Sequence, residues 1–225
     1  MSAVRAALAI AGKDLRIEWR HRTALVSAVV FAVLVLLVFI FARDPGTLAP
    51  RDLAPSVLWV TLALATLLAL NRAFLLEREH GALDGLLLAP VSRASLFWGK
   101  WLANLAFVLV VDAIAFPLWV MFFGVDPTAA LWLVAGVAVL AAIGFTAVGT
   151  TISAMTVRTR FAELLLPVLL LPFLLPPITA AAGATVRILE HRPAGEWLGW
   201  IKLLALYDLV FLVLATGLFP RVMDE

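Results

Sequence analysis

Residues 23–42 read TALVSAVVFAVLVLLVFIFA, twenty consecutive positions without a charged side chain. As a helix this run covers about 30 Å, the thickness of a bilayer's hydrocarbon core. It exceeds the roughly 7–15-residue core of a signal peptide, so it is expected to persist as a span. Outward from it, comparable apolar runs occupy 53–71, 101–123, 130–155, 161–182 and 201–219. The composition agrees, because 64% of the 225 residues are hydrophobic and only 14% charged, with a mean hydropathy of +1.07. Soluble domains carry about 25% charged residues. The expected fold class is all-α, a polytopic membrane protein with six transmembrane helices, treated as one domain over 1–225. Six spans need about 120 residues, which leaves no room for a large soluble domain. A net charge of +2 leaves no excess for a nucleic-acid surface. The absence of cysteine excludes disulfides, thiol catalysis and iron–sulfur ligation on this chain.

The distribution of Lys and Arg sets an orientation. Arg5, Lys13, Arg16, Arg20, Arg22, Arg72, Arg78, Arg93, Lys100, Arg158, Arg160 and Arg221 fall on one side of the six runs. Only Arg43, Arg51, Arg187, Arg192 and Lys202 fall on the other. By the positive-inside rule, both termini are expected in the cytoplasm. Trp59, Trp98, Trp101, Trp197 and Trp200 lie near the proposed span ends, where indoles favour the interface. Pro167, Pro172, Pro176 and Pro177 predict a broken or re-entrant ending to the fifth span.

Two segments outside the spans carry more than topology. In residues 1–22, Val4, Leu8, Ala11, Leu15 and Trp19 recur at steps of three and four, with the basic residues largely elsewhere, as in an interfacial amphipathic helix. This helix either orients the first span or connects to a cytoplasmic partner. Residues 71–100 read NRAFLLEREHGALDGLLLAPVSRASLFWGK. A merely topogenic loop has no need of Leu83, Leu86, Leu87 and Leu88, which on a cytoplasmic elbow must meet lipid or a partner. Gly81 and Gly85 permit sharp turns, and Ser92 is placed to cap the returning helix.

This segment resembles the elbow of ABC-2 class permeases: an acidic-basic-acidic cluster, glycine, a leucine run, proline and serine, then a lysine at the next span. Together with KDLRIEWRHR at 13–22 and YDLVFLVLATGLFPRVMDE at 207–225, LNRAFLLEREHGALDGLLLAP at 70–90 is similar to the haem exporter protein B (CcmB-type) family of cytochrome c maturation. Tyr207 departs from the family pattern, which has a smaller residue before the aspartate. The resemblance implies a permease subunit in the bacterial inner membrane that binds no cofactor firmly, with haem as its transported or handled ligand. It also implies a separate CcmA-like ATPase subunit, CcmC-like and CcmD-like haem-handling membrane proteins, and two permease copies per complex. ATP would act only through the partner, consistent with the lack of a GxxxxGK[ST] loop here. Coupling to that ATPase is assigned by motif to Glu77, Arg78, Glu79, Gly81, Asp84 and Gly85 within the cytoplasmic segment 72–100.

Asp112 and Asp208 fall inside spans, where ionisable groups usually face protein or water. They are candidates for lining a path or bracing helix packing. His21, His80 and His191 share no metal-ligand spacing, so no metal site is expected. His191, with Arg187 and Arg192 available to meet propionates, is the one candidate haem contact. Gly136, Gly144 and Gly149 suggest close helix approach in the fourth span. The alternatives are an ABC-2 permease exporting a drug, lipid or polysaccharide, and a membrane-embedded enzyme. The enzyme lacks HExxH, GxSxG or paired-carboxylate motifs, leaving it only Asp112 and Asp208.

The orientation is testable because the chain has no cysteine of its own. Cysteines placed at Ser2 and Ser92 should resist an impermeant external thiol reagent, and those at Thr47 and Ala194 should react. External labelling at Ser92 would reverse the assignment.

Overall fold

A computed structural model describes residues 2–42, 49–79, 91–156 and 162–224. Every regular element among them is an α-helix: α1 (Ala3–His21), α2 (Thr23–Ala42), α3 (Pro50–Glu79), α4 (Arg93–Phe123), α5 (Ala130–Thr156), α6 (Ala162–Leu189) and α7 (Ala194–Asp224). The six from α2 to α7 each contain a stretch long and apolar enough to cross a membrane. The chain is a multi-pass membrane protein.

The helix boundaries follow from local chemistry. Ser2 caps α1 by accepting the Arg5 N–H at 3.4 Å. Arg22 then takes a left-handed conformation (φ 54°) and returns its N–H to the Glu18 carbonyl, so α2 begins at once in a new direction. Ser92 caps α4 as the sequence predicts, accepting the Ser95 N–H at 3.2 Å. At the far end Gly124 (φ 60°) closes α4 by donating to the Val120 carbonyl. The segment read as 72–100 therefore begins in the last turns of α3 and ends in the first turns of α4.

α5 is the most enclosed of the long spans outside α3, and packs against α6, α7 and α4. Its glycines divide into two kinds. A Cβ at Gly144 would run into Asp208 and Tyr207 of α7, and one at Gly149 into Leu70 of α3, whereas Gly136 has open space around it. Close approach thus holds for two of the three expected positions. α2 uses another small-residue device: Ala24, Ala28, Ala32 and Leu36 are buried at every fourth position. Val26, Val30, Leu34, Val38 and Phe41 remain on its outer face.

Two expectations need correction, and a third gains detail. α6 runs unbroken from Ala162 to Leu189 despite its four prolines. Pro177 cannot donate to the carbonyl of Phe173, but the Tyr207 hydroxyl of α7 donates to that oxygen at 2.6 Å. A neighbouring span therefore repairs one of the bonds a proline removes. Trp59 is not an interfacial anchor: it is fully buried, its indole N–H donating to Thr185 Oγ1 at 3.0 Å. In α1 the buried face is Ala6, Ala7, Ile10 and Ala11, while Val4, Leu8 and Trp19 stay exposed. The stripe of larger apolar residues is not the one that meets the bundle, because small residues permit closer approach of α1 to its neighbour.

Replacing Gly149 by Val should overpack the α5–α3 contact and cost about 1–3 kcal/mol. Gly136→Ala should be neutral or stabilising by up to about 1 kcal/mol, the helix-propensity difference. Thermal melting of the detergent-purified protein distinguishes them, and equal midpoints would contradict this packing.

Candidate functional site

The end of the bundle from which residues 80–90 emerge is organised around the first turns of α4. Gly99 is the close-contact point: a Cβ there would sit 2.7 Å from Ile10 Cβ and 2.8 Å from the Ala7 carbonyl oxygen. α1 consequently lies directly on the backbone of α4. One residue later, Lys100 is buried, its side chain 3% exposed, and its ammonium lies 3.5 Å from Asp14 of α1. Asp14 also meets Lys13 at 3.0 Å. A desolvated charge is tolerated only when paired, so this bridge fixes how α1 sits along α4.

The same turns of α4 reach the other spans. Leu96, Phe97 and Trp101 share a buried cluster with Ile10 of α1, Ala147 and Ala154 of α5, and Ala215 and Phe219 of α7. Phe97 and Phe219 have ring centroids 5.5 Å apart. The Trp101 indole donates to the Ile143 carbonyl at 3.3 Å, and Asn104 donates to Thr150 Oγ1 at 2.9 Å. A push delivered to the start of α4 would therefore be felt by α1, α5 and α7 together.

Of the coupling residues assigned by motif, Gly81, Asp84 and Gly85 lie outside the described residues, as does His80. Glu77, Arg78 and Glu79 form the end of α3, with only their backbone described. What motif reading missed is that Lys100, the lysine of the motif, pairs with Asp14 of α1 beside the close contact at Gly99. The signal was present as opposite charges in two segments already singled out, Asp14 in KDLRIEWRHR and Lys100 closing 71–100.

The two aspartates inside spans are both buried, Asp112 at 7% and Asp208 at 4% exposure. Asp208 shares a stripe of α7 with Leu204, Ala215 and Phe219 and fits against Gly144. Neither of its oxygens, nor Oδ1 of Asp112, has a hydrogen-bond partner among the described residues. Asp112 lies on α4 and Asp208 on α7, where it fits against Gly144 of α5.

At the opposite end, Arg51 holds Asp126 through two bonds of 3.0 and 3.2 Å. These residues, with Glu190 and His191, line a cavity of about 280 Å³. His191 adopts a left-handed conformation (φ 56°) just after α6. The arginines expected to serve it are engaged elsewhere. Arg187 donates to the Gly183 carbonyl at 2.9 Å and stacks 5.1 Å over Trp200, and Arg192 pairs with Glu190 at 3.0 Å. No group of three or more metal-ligating side chains forms among the described residues.

Comparison with known proteins covers almost the same length as this framework. The family described as CcmB protein matches residues 5–223. Heme exporter protein B of Paracoccus denitrificans (strain Pd 1222) is 32% identical over 146 residues, 62% of this chain and 66% of that protein. Its namesake in Rhodobacter capsulatus is 31% identical over 125 residues, 56% of this chain and 57% of that protein. The Escherichia coli K12 protein of the same name is 29% identical over 91 residues, 40% of this chain and 41% of its own length. The pairwise matches thus span less than two-thirds of each relative, whereas the family pattern runs from the start of α1 to the end of α7. Six long apolar helices and a family match over nearly the entire sequence lead to one assignment: the chain belongs to the CcmB family.

Proposed function

We propose that this chain is the permease subunit of an ABC transporter working in haem export and cytochrome c maturation, powered by a separate CcmA-like ATPase. The observation that carries this reading is the family match over residues 5–223, whose named relatives are each called Heme exporter protein B. The chain serves as a single ABC-2-type domain in the bacterial inner membrane with both termini cytoplasmic. The excess of Lys and Arg on that side of the spans supports this orientation.

In this reading the segment 72–100 receives the ATPase, with Glu77, Arg78, Glu79, Gly81, Asp84 and Gly85 as its contact and turn residues. The α1–α4 junction supports such a role mechanically, because the returning helix is held at Gly99 and Lys100 and tied through Phe97 and Trp101 to three other helices. Motion of the segment becomes motion of the spans. Asp208, fitted against Gly144, braces α7 on α5, and Asp112 does the same for α4 within the bundle. At the far end, His191 at the cavity beside Arg51 is the place for haem, as substrate, to meet this chain. CcmC-like and CcmD-like proteins handle haem there, and two permease copies form the complex.

Deleting the chain should abolish covalent haem staining of c-type cytochromes while b-type haem proteins remain filled. Complementation with Glu79→Lys should restore the membrane-inserted chain but reduce its capture of the ATPase subunit. Normal c-type staining in the deletion strain would contradict the assignment, and full capture by the variant would leave the segment a simple loop.

A further inference from the structure

The corner where α1 turns into α2 carries a second, unrelated feature. A groove of about 490 Å³ opens between α1, α2 and α4. Its wall is apolar, formed by Leu15, Leu25, Phe107 and Val110. Arg16, Arg20 and Glu18 line it as well, all from α1. Trp19, 63% exposed, stands beside them with the Arg22 guanidinium 5.8 Å from its ring centroid. An apolar trough bordered by guanidiniums is the shape of an acyl chain below a phosphate, not of a soluble metabolite.

The charges narrow the ligand further. Two arginines against one carboxylate leave a single positive charge in the groove. Glu18 is partly exposed in the lining, and its Oε1 has no hydrogen-bond partner among the described residues, so a turn of the carboxylate offers an acceptor to whatever fills the site. We propose that this groove is a binding site for one phosphatidylglycerol molecule of the surrounding bilayer. The phosphate lies at Arg16 and Arg20, a headgroup hydroxyl donates to Glu18, and an acyl chain follows Leu25, Phe107 and Val110. Phosphatidylethanolamine offers a donor but no net charge. Phosphatidylcholine offers neither. The site is independent of what the transporter carries, and it anchors the α1–α2 corner through lipid where protein contacts leave that corner open.

The test uses the full chain purified in detergent, with dioleoyl phosphatidylglycerol, phosphatidylethanolamine and phosphatidylcholine added separately. Native mass spectrometry counts the lipid retained, and a thermal melt reports folding. One phosphatidylglycerol per chain should be retained in preference to the other two, and glycerol 3-phosphate, lacking acyl chains, should not raise the melting midpoint. Arg16→Ala with Arg20→Ala should weaken retention about thirty-fold. Arg16→Lys with Arg20→Lys, which keeps both charges, should retain lipid better than the alanine pair. Arg5→Ala with Arg221→Ala, outside the groove, should change retention less than about two-fold. Equal retention of phosphatidylcholine by the unaltered chain, or an equal loss in the Arg5/Arg221 pair, would overturn the proposal in favour of diffuse surface attraction.

Discussion

Where Gly99 of α4 faces Ala7 and Ile10 of α1, two helix backbones meet with no room for a side chain between them. That contact decides how the N-terminal helix is used. An amphipathic helix held only by lipid slides and rotates in the interface, whereas this one is fixed to a span by a close approach and, one residue on, by Lys100 and Asp14. The αL turn at Arg22 then sets where α2 enters the bundle, and the groove between α1, α2 and α4 is a by-product of that turn. The buried cluster around Phe97 continues the same junction into α5 and α7. In a protein proposed to receive force on the segment just before α4, such a junction is the natural receiver.

A second constraint comes from the bilayer itself, which offers hydrocarbon no hydrogen bonds to backbone. α6 shows how the chain meets it. Four prolines in one span remove donors, yet the helix continues, and Tyr207 of α7 supplies a bond to the Phe173 carbonyl. Tyr207 and its neighbour Asp208 also press on Gly144, so one stretch of α7 is fitted both to the proline-rich α6 and to the glycine of α5. The side chain at 207, larger than the pattern of the resembled family, thereby has a physical use in this sequence.

The fold class, the number of spans and their order were legible in the sequence because hydrocarbon thickness sets a length of about 20 apolar residues that few other structures need. Ser92 as a cap was legible for a similar reason, since only a few side chains accept from the N-terminal N–H groups. The α6 prolines misled, because their effect depends on a tyrosine 30 positions or more downstream, and a local reading has no access to it. The apolar stripe of α1 was legible by its spacing, but the face that meets α4 was not, because close approach uses Ala7 and Ile10 against Gly99. Gly136 shows the converse, a glycine at helical spacing with nothing against it. Of the candidate site, the residues at 77–85 rest on resemblance alone, and the Lys100–Asp14 bridge joins segments 86 positions apart. Opposite charges stood in the two segments, and only the fold joined them.

The account turns on α1 and α4 moving as one body, and a double-mutant cycle at Asp14 and Lys100 tests that most directly. Asp14→Asn and Lys100→Met should each lower the thermal midpoint of the purified protein. The double variant should be no less stable than the worse single one, giving a coupling energy of about 1–3 kcal/mol. Single variants that melt like the unaltered chain, or losses that simply add, would contradict a bridge that locks the two helices.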